Sequence, residues 1–253
     1  MALAFVRGVS ATFDRALCAV APEPPIDVAL ARAQHAAYVD GLGWLGYRVA
    51  TIAGDDAFPD GCFVEDTAVV ADGAALVTRS AALERRGEAA GVAEALALHL
   101  RVHRMDAPAT LDGGDVLLLG RQLFVGRSAR TNDAGIARLA DVFMPLGFEV
   151  VPVPVGRLLH LKCACSPLGE DRVLCAEGAL PLRTFGAAQL ISVPATEAYA
   201  ANAVARADRV LVSAGHPRTR GALEAAGFSV RALDTTEVRK ADGALTCLSL
   251  RLA

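Results

Sequence analysis

Cys247 stands in the apolar, strand-like run Ala244-Leu245-Thr246-Cys247, a few residues after Asp242-Gly243. A thiol with a distant histidine and carboxylates is the pattern of a nucleophile, because a thiolate forms at neutral pH only beside a base or a cation. The other cysteines, Cys18, Cys62, Cys163, Cys165 and Cys175, are scattered, and the ordinary use of such residues is as small buried hydrophobes. Of five histidines, His160 interrupts the apolar run Leu158-Leu159-His160-Leu161. A histidine so placed is either a hydrogen-bonded core residue or a general acid/base. His35 and His99 fall on helix-like stretches and His103 in a strand-like run, and these three read as structural or solvated; His216 precedes Pro217 in a loop. His160, Cys163, Cys165 and Cys175 could be drawn around zinc, but their spacing fits no common zinc knuckle. Two apolar thiols on neighbouring strand positions account for the same residues, and no metal is expected.

The carboxylates Asp60, Glu65, Asp66, Asp112 and Asp115 occupy turns or strand starts. Any one could be surface decoration. Several converging on one site would hold a cation, since buried acids need such a partner. Arg85 and Arg130 flank helix-like segments and could grip a carboxylate with forked hydrogen bonds. The chain has only two lysines, Lys162 and Lys240, so its arginine-rich usage reads as a compositional habit.

These residues must be positioned by an alternating fold. The chain has 253 residues, 53% apolar and 21% charged, enough to bury a large core. Helical periodicity covers Ile26–Leu45, Leu83–Leu100, Thr131–Leu146, Thr196–Ala207 and Arg218–Ala226, with short apolar strands between, which argues for α/β. Leu45-Gly46, Leu146-Gly147 and Ala226-Gly227 each precede an aromatic and a strand. Each pattern reads as a helix stopped by a left-handed glycine, with the aromatic packing back on the helix just left. Polar residues open the strand-like runs at Glu65-Asp66, Asp112–Asp115 and Asp242-Gly243, so functional groups gather at strand ends.

A net charge of −3 argues against a nucleic-acid partner. No apolar run is long enough to span a bilayer, and the N-terminus lacks a signal peptide's basic region. Six cysteines in a chain of this length do not form a disulfide framework. No glycine-rich phosphate cradle opens a helix, which counts against a nucleotide cofactor. A soluble, cytoplasmic setting is expected.

Five segments, in order, resemble dimethylarginine dimethylaminohydrolase. They are Phe63-Val64-Glu65-Asp66-Thr67-Ala68-Val69-Val70, Leu111-Asp112-Gly113-Gly114-Asp115-Val116-Leu117, the run from Phe124 to Asn132, Leu159-His160-Leu161-Lys162, and the run from Lys240 to Cys247. The resemblance extends from about Val6 to Leu252. It implies one domain over residues 1–253, a five-bladed α/β propeller (pentein) of ββαβ modules around a central channel. Five modules of about 50 residues suit the length.

By the same resemblance Cys247 is the nucleophile, His160 the general acid/base and Asp112 its orienting carboxylate. Asp60 and Asp66, with Glu65 close by, hold a guanidinium. Arg85 and Arg130 take the substrate carboxylate, and the carbonyls of Leu17 and Ala241 its α-amino group. The loop around Ser10–Leu17 acts as a lid. The implied reaction is hydrolysis of Nω-methylated arginine to citrulline and an amine through a covalent thiouronium. No cofactor is implied, the partner is a small molecule, and the chain is a monomer or homodimer. The alternatives are an arginine deiminase-like enzyme, an amidinotransferase or another guanidine-modifying enzyme acting on unmethylated arginine, and a non-catalytic amino-acid-binding module. Two departures from many relatives are Cys163 where serine is expected and Leu248 in place of a second cysteine.

Overall fold

The computed structural model describes residues 2–169, 171–181 and 183–252. It contains five three-stranded sheets, each with a middle strand antiparallel to one neighbour and parallel to the other. The second sheet joins β3 (Ala68–Ala71), β4 (Ala74–Val77) and β5 (Arg101–Arg104), with α2 (Ala89–Ala97) crossing from β4 to β5. The third joins β6 (Val116–Leu119), β7 (Gln122–Arg127) and β8 (Glu149–Pro154), with α3 (Asp133–Phe143) as its crossover. The fifth repeats this with β12 (Val204–Arg206), β13 (Arg209–Ser213), α4 (Pro217–Ala225) and β14 (Ser229–Leu233). The first is split across the chain. β1 (Leu3–Arg7) and β2 (Arg48–Ile52) flank α1 (Val28–Trp44), and the antiparallel partner of β1 is β15 (Leu250–Leu252). That pairing joins the two ends of the chain and closes the ring.

Strands from adjacent sheets touch at β15 and β3, β6 and β9 (Cys165–Pro167), and β9 and β12. The first strand of each module therefore faces the centre. Middle strands are buried on both faces, β1 and β4 completely, whereas the outer β2 and β5 are half exposed. This is the five-module α/β propeller expected from the resemblance. Its fourth module departs from ββαβ: between β10 (Arg172–Ala176) and β11 (Gln189–Val193) the described residues form turns and no helix. No helix among the described residues is long and apolar enough to cross a membrane.

The glycine stops are local chemistry, and they form as read. Gly147 takes φ +82°, its N–H donates to Met144 O, and the Phe148 N–H donates back to Phe143 O. The Phe148 ring then meets Phe143 edge-on at 6.1 Å. Gly46 and Gly227 end α1 and α4 in the same way.

Two helix expectations change. Leu83–Leu100 divides into a 3-10 stretch, Leu83–Glu88, and the shorter α2, because Arg85 and Glu88 turn inward to buried partners. Thr196–Ala207 is not an α-helix. A 3-10 stretch, Ala195–Ala201, breaks at Glu197 (φ −117°, ψ 17°), and Val204–Arg206 forms β12. The Glu197 carboxylate accepts the Arg218 and Thr219 N–H groups at 3.1 and 2.7 Å, capping α4. A long-range cap has overridden an alanine-rich helix propensity. The strand expected at Ala244–Cys247 is also absent: Thr246–Leu248 is a 3-10 turn, and the strand begins at Leu250.

Candidate active site

His160 is the extended residue that enters the 3-10 turn Leu161–Cys163. The turn is pinned by Asp115, which accepts the Leu161 N–H at 2.9 Å and the Ser128 and Thr131 hydroxyls at 2.5 and 2.6 Å. Asp112 Oδ2 lies 3.2 Å from His160 Nε2, and both residues are buried. Gly113-Gly114 passes directly against the ring. A Cβ on Gly114 would lie 2.6 Å from His160 Nδ1, so only glycine fits there. Burial alone would lower the His160 pKa. Asp66, Asp112 and Asp115 outweigh it and raise the pKa above the ordinary histidine value.

Asp66 sits in the 3-10 turn Val64–Thr67 at the head of β3. It accepts the Gly114 N–H at 2.9 Å and Arg85 Nη1 at 2.8 Å. Burial opposes its charge, but His160, Arg85 and these bonds bring its pKa down to about 2.

Arg85 is buried. Its Nε and Nη2 donate to Glu88 at 2.8–3.2 Å, and Nη2 also reaches Phe63 O at 3.3 Å. Its free hydrogen-bonding capacity is therefore small, and the forked grip on a substrate carboxylate expected of it is largely occupied within the protein. Arg130 differs. Its Nη1 is buried, lies 3.7 Å from Asp112 Oδ2 and has no hydrogen-bond partner. Asp112 Oδ1 is likewise unpartnered. Buried polar atoms are normally satisfied, and of these two residues Arg130 lines the cavity, so its donor is available to a group bound there.

Asp60 accepts the Leu17 N–H at 3.1 and 3.2 Å. Burial raises its pKa, with Arg85 and Arg130 pulling the other way. The Ala11 N–H donates to Asp56 at 2.7 Å and the Ala19 N–H to Asp242 at 2.6 Å. The loop expected as a lid is thus tied to the rim by three carboxylates.

Cys247, half-buried, lies in the turn whose Thr246 N–H donates to Asn202 Oδ1 at 2.9 Å. Its thiol pKa is pushed far up by burial, then by Asp66 and Glu65. At rest it is a neutral thiol.

One cavity of about 510 Å³ is lined by Leu17, Asp60, Asp66, Arg85, Arg130, His160, Ala241 and Cys247, eight of the ten expected positions. Asp112 stands behind His160, as an orienting carboxylate would. Glu65 does not line the cavity. It faces away, accepting Lys162 Nζ at 2.6 Å and the Thr246 hydroxyl at 2.7 Å, with Arg251 at 3.4 Å. On that side it lines a second cavity of about 210 Å³. Glu65 braces the turn carrying Cys247 and does not contact the cavity where a guanidinium would sit. Cys163 is also outside the lining, and its N–H donates to His160 O at 3.1 Å.

Sequence reasoning missed Asp115 as the anchor of the His160 turn and Glu88 as the partner of Arg85. The Asp-Gly-Gly-Asp spacing carried a signal for the first; nothing local distinguished Glu88. The imagined zinc cluster does not assemble. Among the described residues the only group with metal-ligand spacing is Asp66, Asp112 and His160, their atoms within 4.8 Å of one another. Arg85 and Arg130 already stand against its two carboxylates.

A thiol, an imidazole and two carboxylates around one cavity suit attack on a planar organic cation. No protein-family model matches the chain. It is 39% identical over 251 residues to the N(G),N(G)-dimethylarginine dimethylaminohydrolase of Streptomyces coelicolor, covering 98% of this chain and 96% of that one. The structure superposes on that of the Pseudomonas aeruginosa enzyme, a cysteine-to-serine mutant complexed with citrulline, with a TM-score of 0.94 at 31% identity, covering 99% and 98% of the two chains. The N-terminal domain of ArgZ, a cyanobacterial arginine dihydrolase, shares the fold at a TM-score of 0.90 and 21% identity, covering 100% of this chain and 97% of that one. The chain therefore belongs to the dimethylarginine dimethylaminohydrolase family, guanidine-modifying hydrolases built on the five-module pentein propeller.

Proposed function

We propose that the chain, as one domain, hydrolyses Nω-methylated L-arginine to L-citrulline and dimethylamine or methylamine. The observation that carries this reading is the single cavity into which Cys247, His160 and Asp66 all open. The guanidinium sits against Asp66 and Asp60, and its charge compensates the thiolate that Asp66 otherwise opposes. The Cys247 thiol loses its proton to solvent as the cation binds. Sulfur attacks the central carbon. Protonated His160, held by Asp112, gives its proton to the departing amine nitrogen, the C–N bond breaks, and a thiouronium remains. Neutral His160 then takes a proton from water as the oxygen attacks. The adduct expels the thiolate, and the urea group of citrulline forms with loss of a proton to solvent.

Arg130, with its unpartnered donor, takes the α-carboxylate; Arg85 adds charge to that wall and fixes Asp66. The carbonyls of Leu17 and Ala241 receive the α-amino group. The test is citrulline release from dimethylarginine, monomethylarginine and arginine in parallel. The reading requires the methylated substrates to have the higher kcat/KM. A preference for arginine would make the chain a deiminase, and no release from any of them would leave a binding module.

A further inference from the structure

The active site leaves Cys165 and Cys175 unused. Strands β9 and β10 run antiparallel, with Cys175 opposite Cys165 and Leu174 opposite Ser166. The Ala176 N–H donates to Ala164 O at 2.9 Å, and the Leu168 N–H to Arg172 O at 2.8 Å. Hydrogen-bonded and non-hydrogen-bonded pairs alternate along an antiparallel ladder. Ala164 with Ala176 and Leu168 with Arg172 are hydrogen-bonded pairs, so Cys165 with Cys175 is a non-hydrogen-bonded one. The Cα atoms of such a pair stand about 4.5 Å apart, with both side chains on one face of the sheet. A disulfide spans Cα separations of roughly 4.4–6.8 Å. The backbone already has the spacing the bond needs.

The geometry points to Cys165 and Cys175 as a cross-strand dithiol, a modification site that closes to a disulfide by exchange with a small-molecule disulfide of the glutathione class. Cys175 is half-buried and Cys165 fully buried, so exchange begins at Cys175. Its thiolate attacks one sulfur of the small disulfide, that S–S bond breaks, and one small thiol leaves with a proton. Cys165, as thiolate, then attacks the Cys175 sulfur of the mixed disulfide and releases the second small thiol. The protein loses two electrons and two protons, and the small disulfide gains both.

In the reduced form the Cys165 thiol donates to Leu161 O at 3.4 Å and the Cys175 thiol to Ala176 O at 3.7 Å; closing the bond gives up both contacts. Burial holds both thiols above their ordinary pKa, so exchange is slow at neutral pH and quickens as pH rises. Strand β9 follows directly on the turn that His160 enters, so the bond staples the hairpin that carries His160.

The experiment uses the full chain with Cys163→Ser, because trypsin leaves Cys163 and Cys165 on one peptide, between Lys162 and Arg172. The protein is held in oxidised glutathione at mildly alkaline pH, quenched in acid, alkylated, digested and weighed. The expected result is the peptide ending at Arg172 joined to the peptide beginning at Val173, at a mass two hydrogens below their sum. Adding Cys165→Ser should instead trap glutathione on Cys175. The oxidised protein should also melt higher than the reduced one, a difference that Cys175→Ser removes. Separately alkylated Cys165 and Cys175, or a lasting mixed disulfide on Cys175 with Cys165 intact, would overturn the assignment.

Discussion

Arg85 Nη1 lies 2.8 Å from Asp66 Oδ2, with both side chains buried. Glu88 holds the opposite edge of the same guanidinium at 2.8 Å. Of the three, Asp66 and Arg85 line the cavity, and Asp66 lies beside His160. Asp66→Asn takes one carboxylate from Arg85 but leaves it the Glu88 pair, so the loss is that of a charged hydrogen bond, about 1.5–3 kcal/mol. The substitution should lower unfolding free energy by about that amount as well as abolishing turnover. Urea unfolding at pH 7 measures it, and a change below about 0.5 kcal/mol, the scale of an ordinary surface substitution, would refute the coupling. The pH dependence has a definite sign. The folded pKa of Asp66 is depressed from 3.8 to about 2, so its contribution is full above the unfolded value and is lost as pH falls from there through about 2.

Cys247→Ser should fold normally and release no citrulline, because a hydroxyl is a far poorer nucleophile at neutral pH. Circular dichroism checks the fold, and a colorimetric citrulline assay checks the activity. Activity within about tenfold of wild type would remove Cys247 from the nucleophile's role.

His160→Ala should retain substrate binding but lose about 10²–10⁴-fold in kcat. The raised pKa of His160 keeps the proton-donating form present above the ordinary histidine range, and that form is lost as pH rises through the raised value. Asp112→Asn removes the negative charge that supports the protonated ring, so the alkaline limb of the kcat profile should move to lower pH. An unmoved limb would mean that another group supplies the proton.

Arg130→Lys should raise KM for dimethylarginine, since an ammonium cannot reproduce the planar fork. A dimethylated agmatine, lacking the carboxylate, should be a poor substrate for the wild type and nearly indifferent to the mutation. Leaving charged donors unpaired carries a penalty on the order of 1–3 kcal/mol, or roughly 5- to 150-fold in kcat/KM. Equal kcat/KM for the two compounds with wild-type enzyme would reject Arg130 as the carboxylate reader.

Dialysis against a strong chelator should leave kcat unchanged, because the proposed thiol route needs no Lewis acid. Loss of activity restored by a single metal would assign that ion to Asp66, Asp112 and His160, the trio with ligand spacing.

The sequence by itself determined what depends on a few neighbouring residues. The three glycine stops follow from local backbone sterics and formed as read. The ordered segments around Asp66, Asp112, His160 and Cys247 carried the family, because each is a short string whose chemistry needs those residue types. Tertiary structure decided what depends on which way a turn faces. Glu65 and Asp66 are adjacent in one 3-10 turn, yet Asp66 opens into the cavity and Glu65 turns to Lys162 and Thr246 behind it. A strand would have alternated these side chains in a readable way, but the orientation of a one-turn 3-10 segment is set by what packs around it. Arg85 reads as a free clamp until Glu88, three residues on, is seen buried against it. The stretch Thr196–Ala207 reads as a helix until Glu197 is found capping α4. In each case the deciding partner is brought close by the fold or by a turn that burial shapes, and local propensity holds no information about it.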